Sequence, residues 1–219
     1  MTDQSTALQY LHEFRTRLEE LRVSDDALAP FVDGLQDVED QPDGNATHDL
    51  DHPLMARLNG ALGSAKGSPA LVEAVTALAH EGGFFQVYEG EGINATQADY
   101  MIGKQIIGPK GRLSHDSLRA GIFVLAPNFE YLMHSHEALE LYYVHSGNMH
   151  VQNGTDAEKR AVGPGDYSVT PSSVPHALHI GDEPVVILYI WTGALTAPIM
   201  WWTKEDDGSW TQSLAKDLK

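Results

Sequence analysis

From Gly83 onward the chain is cut into short apolar segments by turn signals, and this punctuation constrains the fold more than any other feature. Gly108-Pro109, Gly147-Asn148, Asn153-Gly154, Gly163-Pro164-Gly165-Asp166 and Gly181-Asp182 separate candidate strands over 84–88, 102–107, 119–126, 139–145, 148–152, 167–170, 177–180 and 185–192. Many short strands with closely spaced turns point to a β-sandwich or barrel. Before Gly83 the pattern is helical. Leu8, Leu11, Phe14, Leu18 and Leu21 recur at spacings of three and four and make one helix face. Ser24 is the expected cap of a second helix carrying Leu28, Phe31, Val32 and Leu35. Pro53 opens a short helix with Leu54, Leu58 and Leu62. Ser68-Pro69 starts another through Leu71, Val75, Leu78 and Ala79, ended by Gly82-Gly83. The acidic stretch Asp37–His52 reads as an exposed loop, a solvated charge run rather than a cation site. The expected division is a helical extension over 1–83, a β-barrel over 84–197, and a tail over 198–219 whose Trp201, Trp202 and Trp210 the pattern does not place.

Composition excludes several functions. The 219 residues include 14 basic and 31 acidic ones, a formal charge of −17. A phosphate-binding surface needs clustered Lys and Arg, so nucleic acid and anionic membrane surfaces are not expected partners. No apolar run reaches the ~18–20 residues of a membrane span or the pattern of a signal peptide, and the expected location is the cytoplasm. There is no cysteine, so a metal has only His, carboxylate or Tyr as donors, and 11 His are available.

The chemistry concentrates in two segments. In 134–147, His134, His136, Glu140 and Tyr142 share parity, so an unbroken strand points all four one way, with Leu139, Leu141 and Tyr143 on the other face. Burying two imidazoles, a carboxylate and a phenol together is costly without a partner, and a divalent cation is the simplest one. In 165–179, His176 supplies a further imidazole. A mixed nitrogen and oxygen set suits Zn, Fe, Mn, Ni or Co. His179 is out of step with His176 and is not expected to be a ligand, and His145 and His150 flank the Gly147 turn and are expected at the surface or rim.

These residues carry a resemblance. The first segment resembles the first cupin motif, G-x5-H-x-H-x3,4-E-x6-G, at His134, His136, Glu140 and Gly147, with Asn128 where the motif opens on Gly. The second resembles the second cupin motif, G-x5-P-x-G-x2-H-x3-N, at Gly165, Pro171 and His176, with Ser173 in place of Gly and Ile180 in place of Asn. The resemblance implies a mainly β cupin barrel, a double-stranded β-helix or jelly roll, with an N-terminal α-helical extension. It also implies metal ligands at His134, His136, Glu140 and His176. For His134 two roles stay open, ligand or holder of a substrate carboxylate.

The first motif continues to Tyr142, giving H-x-H-x3-E-x-Y, which resembles the cupin-type dimethylsulfoniopropionate lyases. The match covers roughly 84–195. That family cleaves a small zwitterionic sulfonium to dimethyl sulfide and acrylate. The resemblance implies Tyr142 as general base at the metal, and Tyr131 and Trp191 as pocket residues, with Tyr131 also a catalytic candidate. A metal on the carboxylate would stabilise charge as the neighbouring carbon loses its proton, and aromatic faces would accept the sulfonium. Packing alone is the competing account of Tyr142 and Trp191. Strict alternation sends Tyr131 to the face opposite His134, so it lines the pocket only if the strand bends at Glu130–Met133. The competing functions are a cupin dioxygenase or isomerase on another small acid, and a non-catalytic ligand-binding cupin. Cupins often dimerise, and Trp201 and Trp202 could serve a homodimer contact or close the barrel mouth.

Overall fold

The Ser68 hydroxyl accepts a hydrogen bond from the Leu71 amide at 3.1 Å and starts a helix at Pro69, as the sequence leads one to expect. This holds in the computed structural model of the chain, which describes residues 3–40, 50–88 and 95–215. The helices are α1 (Asp3–Arg22), α2 (Ala29–Gly34), α3 (Leu58–Leu62), α4 (Pro69–His80) and α5 (Ala95–Tyr100). The buried stripe of α1 is Ala7, Tyr10, Phe14 and Leu18, while Leu8 is 45% exposed. The expected face is thus rotated, because Tyr10 offers a larger apolar body than Leu8 on the side that meets the sheet. Asp25, not Ser24, caps the turn before α2 and accepts from the Ala27 amide; the Ser24 hydroxyl donates backwards to the Leu21 carbonyl. Of the expected loop Asp37–His52, residues 41–49 lie outside the described part.

The strands are β1 (Glu39–Asp40), β2 (Phe85–Gln86), β3 (Met101–Ile107), β4 (Leu113–Ser114), β5 (Leu118–Leu125), β6 (Glu130–Ser135), β7 (Ala138–Ser146), β8 (Met149–Asn153), β9 (Arg160–Val162), β10 (Tyr167–Thr170), β11 (His176–Ile180), β12 (Val185–Gly193), β13 (Met200–Lys204) and β14 (Trp210–Leu214). One sheet runs β1-β4-β3-β5-β12-β7-β10, with β2 on β3, and the other β14-β13-β6-β11-β8-β9. Pairing is antiparallel except β3 with β4. This is a mainly β cupin barrel with an N-terminal helical layer. The segment beyond 198 joins it: β13 and β14 form a hairpin, and β13 pairs with β6 through Trp201 opposite His134. Among the described residues no helix is long and apolar enough to cross a membrane.

The helical layer covers the outer face of β7. Phe14 meets the Tyr143 ring edge-on at 5.6 Å, and the Lys66 amide donates to the His145 carbonyl. Lys104 on β3 donates to the Leu78 and Gly82 carbonyls at the end of α4. Tyr143 on β7 therefore faces the helices and Glu140 and Tyr142 the barrel interior, until the register with β12 shifts between Val144 and Ser146.

Backbone geometry supports the motif alignment independently. The motif glycines Gly147 and Gly165 have φ of +75° and +88°. Asn128 and Ser173, which stand where the cupin motifs carry Gly, are the non-glycine residues with positive φ among the described residues, at +55° and +63°. The backbone keeps the glycine conformation although the glycine is gone. Asn tolerates it well and Ser less so.

Candidate metal centre

The sequence suggests one continuous strand through 134–142, and the structure breaks it. Extended structure stops at Ser135 and resumes at Ala138, so β6 and β7 belong to opposite sheets and His136 lies on the corner between them. The Ser173 amide holds the corner by donating to the His136 carbonyl at 2.8 Å. His134, His136 and Glu140 still come together although the premise of a single strand does not hold. The two sheets face each other, and the corner preserves the inward direction.

Three imidazoles converge from these elements. One nitrogen from each of His134, His136 and His176 lies within 4.8 Å of the others, and all three rings are buried. Each Nδ1 pairs with a backbone carbonyl: His134 with Leu132 at 2.8 Å, His136 with Ala138 at 3.0 Å, His176 with Val174 at 3.0 Å. A carbonyl only accepts, so Nδ1 carries the proton and Nε2 keeps its lone pair. Glu140 enters from β7, with Oε2 at 3.1 Å from His136 Nε2 and 3.0 Å from His176 Nε2. His134 Nε2 and His176 Nε2 are buried without a hydrogen-bond partner, the latter although it lies 3.0 Å from the carboxylate. Oriented lone pairs around a buried carboxylate, with two nitrogens orphaned, fit a divalent metal ion, and the nitrogen and oxygen donor set suits a transition metal.

The electrostatics follow from burial. Burial, helped by the neighbouring His176 and His136, pushes the His134 pKa far down. Burial opposes charge on His136 too, but the Glu140 carboxylate outweighs it and raises that pKa. Burial also opposes ionisation of Glu140, yet His136 and His176 hold it well below the usual carboxylate range. Tyr142 on β7 is fully buried two residues from Glu140, and burial together with that carboxylate drives its phenol up.

Tyr131 reaches the site through a bulge. His176 pairs with His134 and Leu178 with Tyr131, so three steps on β6 match two on β11. The extra residue reverses the alternation, turns Leu132 outward, and brings the Tyr131 ring to 4.2 Å from that of His134. Trp191 on β12 stands opposite Glu140, donates its indole N–H to Glu140 Oε1, and lies 4.4 Å from the His136 ring.

Two aromatic residues escape sequence reasoning. The Tyr88 hydroxyl hydrogen-bonds that of Tyr131, and its ring lies 5.5 Å from Trp201. Trp201 in turn lies 5.8 Å from His134. Neither falls in a motif, and for Trp201 the sequence offers only a homodimer contact or closure of the barrel mouth, not a place beside His134. The expectation that His145 is at the rim is wrong. It is fully buried, and both ring nitrogens lack partners. His179 points away from the site toward Lys159 and Glu130. His52, His80 and His115 are engaged elsewhere, and His48 lies outside the described residues.

Comparison with known proteins gives a consistent result. The family described as dimethylsulfoniopropionate lyase matches residues 31–187. The lyase DddQ of Ruegeria pomeroyi is 32% identical over 114 residues, 52% of this chain and 56% of that protein. The match therefore spans little more than half of that relative's length. A putative lyase of the same kind, DddL of Cereibacter sphaeroides, is 29% identical over 176 residues, 77% of this chain and 69% of that protein. The crystal structure of DddQ from Ruegeria pomeroyi superposes with a TM-score of 0.71 at 26% identity, covering 90% of this chain and 96% of that one.

Proposed function

This chain belongs to the dimethylsulfoniopropionate lyase family, and on that premise we propose that it cleaves dimethylsulfoniopropionate to dimethyl sulfide and acrylate by β-elimination. The observation that carries the reading is the convergence of His134, His136, His176, Glu140 and Tyr142 on one buried surface. Those three histidines and Glu140 would hold a divalent transition metal, of the group Zn, Fe, Mn, Ni and Co. Such an ion supplies positive charge to a substrate carboxylate and to a nearby phenol.

Tyr142 is the base. It removes the proton from the carbon next to the carboxylate. The electron pair left behind forms the carbon–carbon double bond as the carbon–sulfur bond breaks. Dimethyl sulfide departs neutral and needs no acid. Without a neighbouring cation, burial and Glu140 keep Tyr142 a neutral phenol, so its base form depends on the metal charge. Tyr131 and Trp191 border the ligands and offer aromatic faces to the sulfonium; Tyr88 holds the Tyr131 hydroxyl. The buried surroundings exclude water, which keeps the phenolate from ready reprotonation. Headspace detection of dimethyl sulfide over the metal-loaded protein, after addition of dimethylsulfoniopropionate, tests the reading.

A further inference from the structure

A cavity of about 400 Å³ adjoins the ligand cluster, with Trp191 as a shared wall. Its other walls include Phe85, Phe123, Tyr189, Gln105 and Arg119. Strand register explains the arrangement. Trp191 stands opposite Glu140 on β7 and opposite Arg119 on β5. Glu140, Trp191 and Arg119 thus form a row across three neighbouring strands, and two strand spacings put Arg119 ~10 Å along that row from Glu140. Two residues along β12, Tyr189 stands opposite Gly121, where a Cβ would come within 2.9 Å of its ring. The absent side chain lets Tyr189 lie over β5 and stack on Phe123 at 4.0 Å, 11° from parallel.

Arg119 is half-buried and, among the described residues, forms no ion pair, whereas Arg15, Arg17 and Arg22 each do. A partly desolvated guanidinium has a favourable site for an anion beside it. Gln105 orders the phenol. Its Oε1 accepts from the Lys110 amide at 2.6 Å and its amino group donates to the Tyr189 hydroxyl, whose own O–H is left to donate. Guanidinium and phenol O–H stand among aromatic walls. Such a site accepts a flat or short carboxylic acid.

We propose that this cavity is a second, carboxylate-binding subsite for small monocarboxylates, anchored by Arg119 and separated from the metal ligands by Trp191. Resting on the lyase reading, it takes the carboxylate of acrylate leaving the site or of substrate entering it.

The test is calorimetric titration of propionate, an unreactive stand-in for acrylate, into the full chain, both as isolated and after chelation. Saturable binding that survives chelation, weakens at least tenfold in Arg119→Gln and is partly restored in Arg119→Lys is the expected result. Dimethylsulfoniopropionate displaces propionate from the chelated protein if the subsite receives substrate, and does not if it serves product alone. Equal propionate affinity in wild type and in a folded Arg119→Gln, or no saturable binding to the chelated protein, overturns the proposal. Because no turnover is read, a failure here is distinguishable from a failure of the lyase reading, which would show as absent dimethyl sulfide with propionate binding intact.

Discussion

Trp191 donates its indole N–H to Oε1 of Glu140, while Oε2 of the same carboxylate faces His136 and His176 at 3.1 and 3.0 Å. One tryptophan therefore fixes the orientation of the carboxylate that, among the described residues, reaches two of the three imidazoles.

Replacing Trp191 by Phe keeps a ring against His136 and removes the donor. Partners that orient a ligand are worth ~10–100-fold in metal affinity. A competition titration with a chromophoric chelator should show Trp191→Phe binding metal more weakly by about that factor. Unchanged affinity would mean that Glu140 is held by other contacts.

Metal addition should raise the unfolding temperature of the wild type. An ion that binds only the folded state contributes about 2.7 kcal/mol at a hundred times its Kd. His176→Ala removes one converging nitrogen and should abolish most of the shift. A thermal melt with and without each candidate ion reads this directly.

Ser173→Gly should stabilise the protein. A left-handed conformation costs a residue with a Cβ ~1–2 kcal/mol. The gain is offset by ~0.5–1 kcal/mol from the greater freedom of Gly in the unfolded chain. Urea unfolding should show a net rise of up to ~1.5 kcal/mol. Asn128→Gly should gain less, since Asn tolerates this conformation.

The local grammar was legible where neighbouring residues decide it. The Ser68 cap, the turns at Gly147 and Gly165, and strand β10 over 167–170 follow from local chemistry. So did His134, His136, Glu140 and His176, because parity and motif spacing survive the corner at His136. What escaped depends on distant chain. The bulge in β6 exists only relative to β11 and brings in Tyr131, which alternation sends outward. Strand β13 carries Trp201 to His134 across 67 residues, and nothing local marks Trp201 for that position. His145 looked like a turn residue because its burial depends on distant chain, including Lys66, whose amide reaches its carbonyl.

Stability should fall in mild acid through His145. Burial without partners lowers its folded pKa to about 4, against ~6.5 in the unfolded chain. The unfolded state takes the proton first as pH drops, so the contribution of His145 is intact above ~6.5, declines through the window, and is gone below about 4. Between pH 7 and 4.5 this amounts to ~2 kcal/mol. In His145→Leu, urea unfolding at the two pH values should show a smaller loss by about that much. An identical loss would locate the acid sensitivity elsewhere.

The central claim is that Tyr142 is the base of a metal-dependent elimination. Headspace gas chromatography over wild type and Tyr142→Phe, with metal content measured on the same samples, tests it most directly. The account predicts dimethyl sulfide from the wild type and almost none from Tyr142→Phe at equal metal content. Near-normal release from the metal-loaded variant, or no release from a metal-loaded wild type, would contradict it.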